Sequence, residues 1–85
     1  MRARIFVTLK RGVLDPQGRA IQEALTGLGH EGVQDVRQGK LFELSLSERP
    51  EAEARETLER MCQQLLANLV IEDYRIELHP SGGRP

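Results

Sequence analysis

Between Leu58 and Leu69 the apolar residues Leu58, Met61, Cys62, Leu65, Leu66 and Leu69 recur at spacings of three and four. A helix gathers residues so spaced into one stripe, and a stripe this long needs a covering layer. The amino-terminal stretch offers one. From Arg2 to Lys10, Ala3, Ile5, Val7 and Leu9 alternate with Arg4, Phe6, Thr8 and Lys10, the period of a strand with one covered face. The 85 residues leave room for one domain. A domain of that size buries only about 60% of the surface its unfolded chain exposes. A thin helix-on-sheet core is therefore expected, with self-association as a means of thickening it.

The remaining segments follow the same logic. Asp15 suits the cap of a helix and Pro16 its first position, where the missing N–H costs nothing. Ile21, Ala24, Leu25 and Leu28 then form an apolar stripe that calls for a sheet to cover, and Gly29 suits a left-handed end. Val33 to Arg37 and Leu41 to Leu46 predict a hairpin across Gln38, Gly39 and Lys40, with Gly39 at a positive φ and Phe42, Leu44 and Leu46 on one face. Pro50, Glu51 and Glu53 suit the start of the second helix. Its wet side carries Glu51 with Arg55 and Glu56 with Arg60, pairs worth about 0.2–0.5 kcal/mol each. Tyr74, Ile76 and Leu78 mark a last strand, and Pro80 to Pro85 predicts a disordered tail. The order βαββαβ over a single domain, residues 1–79, predicts an α+β, ferredoxin-like fold: a four-stranded antiparallel sheet with two helices on one face. The other face, with Phe6, Thr8, Leu41, Glu43, Ser45, Arg75 and Glu77, is left open for a partner.

Composition narrows the function. Twelve Lys and Arg against 13 Asp and Glu give a net charge of −1, which attracts neither nucleic acid nor an anionic membrane. No apolar run approaches the roughly 20 residues of a membrane span, and the amino-terminal stretch lacks the layout of a secretion signal, so the cytoplasm is the expectation. Cys62 is the sole cysteine and falls on the buried stripe, where a thiol acts as a small hydrophobe rather than a nucleophile. His30 and His79 show no zinc-site spacing, and no catalytic, cofactor-binding or metal-ligating set emerges on this chain. A glycine-containing turn before a helix can present amides to an anion, but Gly12 to Gly18 is not a phosphate-loop fingerprint, and Asp15 repels phosphate. RNA-reading modules of this topology stack bases on sheet aromatics; only Phe6 is placed to serve.

Three separated runs add a specific signal. Lys10-Arg11-Gly12-Val13-Leu14-Asp15-Pro16-Gln17-Gly18, Val36-Arg37-Gln38-Gly39-Lys40-Leu41-Phe42-Glu43-Leu44 and the stretch from Met61 to Ile76, reading MCQQLLANLVIEDYRI, resemble PurS, the small subunit of bacterial and archaeal phosphoribosylformylglycinamidine (FGAM) synthase. The resemblance covers nearly the whole chain up to Leu78. Arg11 and Leu69 stand where proline is common in that family, and Leu69 would let the second helix run slightly further. The resemblance implies a non-catalytic subunit in de novo purine biosynthesis that bridges two partners. These are PurQ, a glutaminase that releases ammonia, and PurL, which binds ATP and Mg and joins that ammonia to formylglycinamide ribonucleotide. It also implies a homodimer or higher oligomer, and support for ammonia transfer.

Partner contacts are expected at three places, each with a purely architectural reading beside it. Gly12, Asp15, Gln17 and Gly18 present a turn or merely start a helix. Arg37, Gly39 and Lys40 form a hairpin tip that makes contacts or is a solvated turn. Asn68, Glu72, Asp73 and Tyr74 lead into the last strand, where Asn and Asp also close turns on their own backbone. An ACT-like module binding a small metabolite is the alternative function, and an acylphosphatase-like enzyme, echoed by Arg11 and Gly12, is a third. Fold class alone does not separate them.

Overall fold

The computed structural model describes residues 1–79, and the Pro80 to Pro85 tail lies outside them. Strand β1 (Arg2–Leu9) is followed by helix α1 (Pro16–Gly27), strand β2 (Gly39–Ser45), helix α2 (Glu51–Met61) with a π-helical turn (Cys62–Leu66), and strand β3 (Glu72–His79). The strands form one antiparallel sheet in the order β2-β1-β3. β1 is central because it alternates most cleanly: Ala3, Ile5 and Val7 are buried to the last few per cent. Ile5 faces Phe42 on one side and Ile76 on the other, and Ala3 lies between Leu44 and Leu78. Leu58 and Cys62 of the second helix close over this row, and Ala54 of the same helix is buried as well. Complete burial of Ile5 and Leu58 contributes about 1.5–3 kcal/mol each.

The opposite face is open and polar, as its alternation requires. Arg4 pairs with Glu43 at 3.3 Å, and Arg75 lies 4.3 Å over the Phe6 ring while its guanidinium donates to Glu77 at 2.7 Å. Leu41 on this face is half-exposed.

Helix α2 follows Pro50 at its N-cap, with Glu51 and Glu53 in its first turn, and the Glu51–Arg55 and Glu56–Arg60 pairs form on its wet side. Its end departs from the expected stripe. The Ala67 amide donates to the Cys62 carbonyl at 3.0 Å, five residues back, and so widens one turn. Each residue of an α-helix advances about 100°, so the wider turn shifts the residues within and beyond it off the stripe. Leu65 is accordingly 83% exposed while Leu66 stays half-buried, and the helix stops at Leu66, short of Leu69.

The expected four-stranded sheet is a three-stranded one. Val33 to Arg37 joins no ladder, because side chains already hold its backbone and ends. Gln22 Nε2 donates to the carbonyls of Val33 and Gln34 at 3.2 and 3.0 Å. The Gln38 amide donates to Asp15 Oδ2 at 2.8 Å, and Arg37 Nη2 donates to the carbonyls of Lys10 and Val13 at 3.1 and 3.0 Å. The expected hairpin at Gln38 to Lys40 is absent with it. Gly39 is the first residue of β2, opposite Thr8, and its φ is not positive; a Cβ there would lie 2.7 Å from the Val7 carbonyl oxygen. Gly12 and Gly29 do take the positive φ expected of a turn and a helix end.

Helix α1 also departs from expectation. Gly18 is its sole buried residue, Ile21 is 41% exposed, and Leu28 just beyond its end is 76% exposed. The stripe does not cover the chain's own sheet.

Candidate functional site

Most of the residues singled out in the sequence converge where β1 ends and β2 and β3 begin. Lys10 is the junction. Its amide donates to the Ile71 carbonyl at 2.8 Å, its own carbonyl accepts from the Val13 amide and from Arg37, and its ammonium sits 2.8 Å from Asp73 Oδ1. Across the sheet end, Lys40 lies 3.6 Å from Glu72 Oε2, while Glu72 Oε1 accepts from the Asn68 amide at 2.7 Å. Asn68 closes its turn through its side-chain oxygen, which accepts from the Val70 amide at 3.1 Å.

A cavity of about 250 Å³ opens here, lined by Val7, Leu9, Asp15, Gln17, Gln38, Gly39, Lys40 and Glu72. Asp15, Gln17, Gly39, Lys40 and Glu72 are thus brought together, with Asn68 and Asp73 adjoining. Gly12 and Arg37 line a neighbouring groove with Arg11 and Asp35. Two expected residues stand apart. Gly18 is buried beneath Val36, whose carbonyl oxygen would lie 2.2 Å from an added Cβ. Tyr74 faces the helix side of the sheet, and its hydroxyl donates to Glu59.

Asp15 shows what this end of the molecule is built for. It is 6% exposed, and its two oxygens accept from the Gln38 and Gly18 amides at 2.8 Å each. The Gln38 hydrogen bond, then the Gly18 one, hold its carboxyl below the ordinary value, with Arg37 adding to the effect against a contrary push from burial. The carboxylate therefore stays ionised and engaged, tying the start of α1 to the start of β2. Glu72, its side chain 12% exposed, is held likewise between Lys40 and the Asn68 amide. Both carboxylates fasten backbone at the wall of this cavity. Burial pushes the Cys62 thiol up, which suppresses the nucleophilic thiolate. Among the described residues, no group of three or more His, Cys, Asp and Glu is placed to hold a metal ion, and no helix is long and apolar enough to cross a membrane.

Sequence reasoning passed over Lys10, Gln22 and Gln38, whose roles are backbone hydrogen bonds with no residue-type signature. It also passed over the apolar side chains that flank the polar junction in the open. Leu14 is 72% exposed and Val70 82%. Val70 and Ile71, apolar residues beyond the end of the helical stripe and before the alternation of the last strand, were the legible signal for the second of these.

The family model described as PurS: Phosphoribosylformylglycinamidine (FGAM) synthase matches residues 2–80. The chain is 53% identical over 75 residues to the phosphoribosylformylglycinamidine synthase subunit PurS of Synechocystis sp., covering 88% of this chain and 75% of that protein. It is 47% identical over 77 residues to the corresponding subunit of Bacillus subtilis, covering 91% and 90%. Among solved structures, Methanocaldococcus jannaschii PurS, one of the subunits of formylglycinamide ribonucleotide amidotransferase in the purine biosynthetic pathway, superposes with a TM-score of 0.84 at 42% identity, covering 93% and 95%. A chain of the PurLQS structure from Thermotoga maritima superposes with a TM-score of 0.83 at 29% identity, covering 89% and 93%.

Proposed function

Because the chain belongs to the PurS family of FGAM synthase subunits, we propose that it is the non-catalytic subunit that bridges PurL and PurQ in the cytoplasm and supports the passage of ammonia between them. In this reading PurQ releases ammonia from glutamine. PurL holds the ATP and Mg and makes the new C–N bond on formylglycinamide ribonucleotide. Residues 1–79 act as one unit that keeps the two partners in register.

The observation that carries the proposal is the junction at the end of the sheet. The buried Asp15 and the half-buried Glu72 fix backbone there, and exposed Leu14 and Val70 stand beside exposed charges. Exposed apolar side chains beside exposed charges, presented by a fixed backbone, suit contact with another protein. Gly12, Asp15, Gln17, Gly18, Arg37, Gly39, Lys40, Asn68, Glu72, Asp73 and Tyr74 serve this interface, some by contact and others, Asp15 and Gly18 among them, by holding its shape. A homodimer joined through strands fits the same reading, since β2 and β3 leave both sheet edges free.

The test is assembly. The chain, PurL and PurQ are mixed with glutamine and nucleotide and followed by size exclusion with light scattering. A single species containing all three is expected, and reversing charge at Lys40 and Asp73 together should weaken it. Both side chains are exposed and outside the core, so the double variant is expected to stay folded, which circular dichroism checks. No co-elution under any of these conditions would refute the bridging role.

A further inference from the structure

We propose that the groove between α1 and the segment returning from it, Val33 to Arg37, binds a free α-amino acid with a carboxamide side chain, glutamine being the first to test. The inference stands on the groove alone and is independent of the bridging role.

Helix α1 has two unlike sides. At about 100° per residue, Arg19, Gln22, Glu23 and Thr26 fall on the side opposite Ile21 and Leu28. The returning segment runs beside this polar side and is fixed there. Gln22 Nε2 donates to the carbonyls of Val33 and Gln34, and the Gln38 amide donates to Asp15. The Val36 carbonyl oxygen stands so near Gly18 that an added Cβ would lie 2.2 Å from it. Between helix and segment opens a groove of about 460 Å³, within the size range of small-molecule sites. Asp35 and Arg37 also line an adjoining groove with Arg11 and Gly12.

Some of the charges here cancel and others do not. Arg19 and Glu23 pair at 3.4 Å. Asp35 and Arg11 have no hydrogen-bond or ion-pair partner among the described residues, and neither meets the other across the space they share. Arg37 is fixed by its Nη2, which donates to the carbonyls of Lys10 and Val13 at 3.1 and 3.0 Å, so Nε and Nη1 are held in place without being used. A guanidinium fork matches a carboxylate, and a carboxylate takes an ammonium. Opposite charges that line one space without meeting are complementary to a ligand carrying both, and an α-amino acid carries both on one carbon. Asp15 and Asp35 both line the groove and oppose a ligand that is only anionic. For the side chain, Gln22 has its Oε1 left as an acceptor and the Thr26 hydroxyl can donate, one partner each for the NH2 and the oxygen of a carboxamide. Exposed Leu14 on the same groove offers apolar surface to the methylenes between.

The test titrates L-glutamine into the 15N-labelled full chain and follows its amide resonances. Saturable shifts are expected at Arg11 to Leu14, Gln22 to Thr26 and Asp35 to Arg37, with a Kd in the millimolar range or tighter. N-acetyl-L-glutamine lacks the ammonium and L-alanine the carboxamide, and both should bind more weakly, the first by roughly tenfold or more for its lost charged contact. Asp35→Asn and Arg11→Gln should weaken L-glutamine binding to a similar degree. Neither side chain has a partner among the described residues, so both variants are expected to fold, which an unchanged spectrum away from the groove verifies. No saturable shift with L-glutamine overturns the proposal. So does equal binding of either analogue, or a pair of folded variants that bind as the wild type does, since the groove would then not be reading both charges and the carboxamide. PurL and PurQ take no part in the titration, so a failure of assembly and a failure of this site are told apart.

Discussion

Replacing Gly18 with alanine sets local preference against tertiary fit. In the body of a helix, alanine is favoured over glycine by about 1 kcal/mol, so propensity alone predicts a more stable protein. The structure predicts the reverse. The added methyl would lie 2.2 Å from the Val36 carbonyl oxygen, where ordinary contact begins at 3.4 Å, so the returning segment must retreat by about 1.2 Å. That carbonyl is backbone, and its neighbours are pinned by Asp15 and Arg37. Overpacking of this kind costs about 1–3 kcal/mol. The net expectation is a loss of up to about 2 kcal/mol, read by urea unfolding under circular dichroism at fixed protein concentration. Gly27→Ala is the control: nothing lies within 4 Å of its Cβ position, so the same substitution there should be neutral or gain up to about 1 kcal/mol. Gly18→Ala matching or exceeding the stability of Gly27→Ala would refute the claim that α1 and the Val36 segment are locked together.

Other consequences follow from single groups. Leu58→Ala, at a completely buried position, should cost about 2–5 kcal/mol in urea unfolding, and a loss under 1 kcal/mol would mean the core is loose. Asp15 has a folded-state pKa below its ordinary value of 3.8, so its contribution is full above that value and is lost as pH falls through the folded pKa. Hydrogen exchange at the Gly18 and Gln38 amides should therefore stay protected to about pH 4 and weaken below it, and Asp15→Asn should remove that acid dependence. Cys62 should react with a thiol reagent only as fast as the chain opens, because it is fully buried and its thiol is pushed up; rapid reaction in the folded protein would contradict its place in the core.

What could be read in the sequence was whatever depends on nearest-neighbour pattern. The alternation of Ala3, Ile5 and Val7, the Asp15-Pro16 helix start, the acidic first turn of α2 and the burial of Cys62 are local statements, and each stands in the structure. The misses came from interactions that periodicity does not encode. Val33 to Arg37 has the composition of a strand, yet Gln22, Asp15 and Arg37 hold its backbone and ends before any strand can. Leu65 keeps helical spacing from Leu58, and one widened turn moved it into solvent. Gly39 looked like a turn glycine and is a strand residue pressed against Val7. At the candidate site, the sequence supplied Asp15, Gln17, Lys40 and Glu72 as separate motif residues. Only the sheet register, which sets Thr8 against Gly39 and Leu9 against Glu72, brings them to one cavity.

The bridging role is tested most directly by glutamine-dependent synthesis of FGAM. PurL and PurQ that accompany this chain are supplied with glutamine, ATP and formylglycinamide ribonucleotide, with and without it, in parallel with reactions fed ammonia in place of glutamine. The account predicts that glutamine-dependent synthesis depends on the chain while ammonia-dependent synthesis by PurL needs it less. Equal glutamine-dependent rates in its presence and absence would contradict the account.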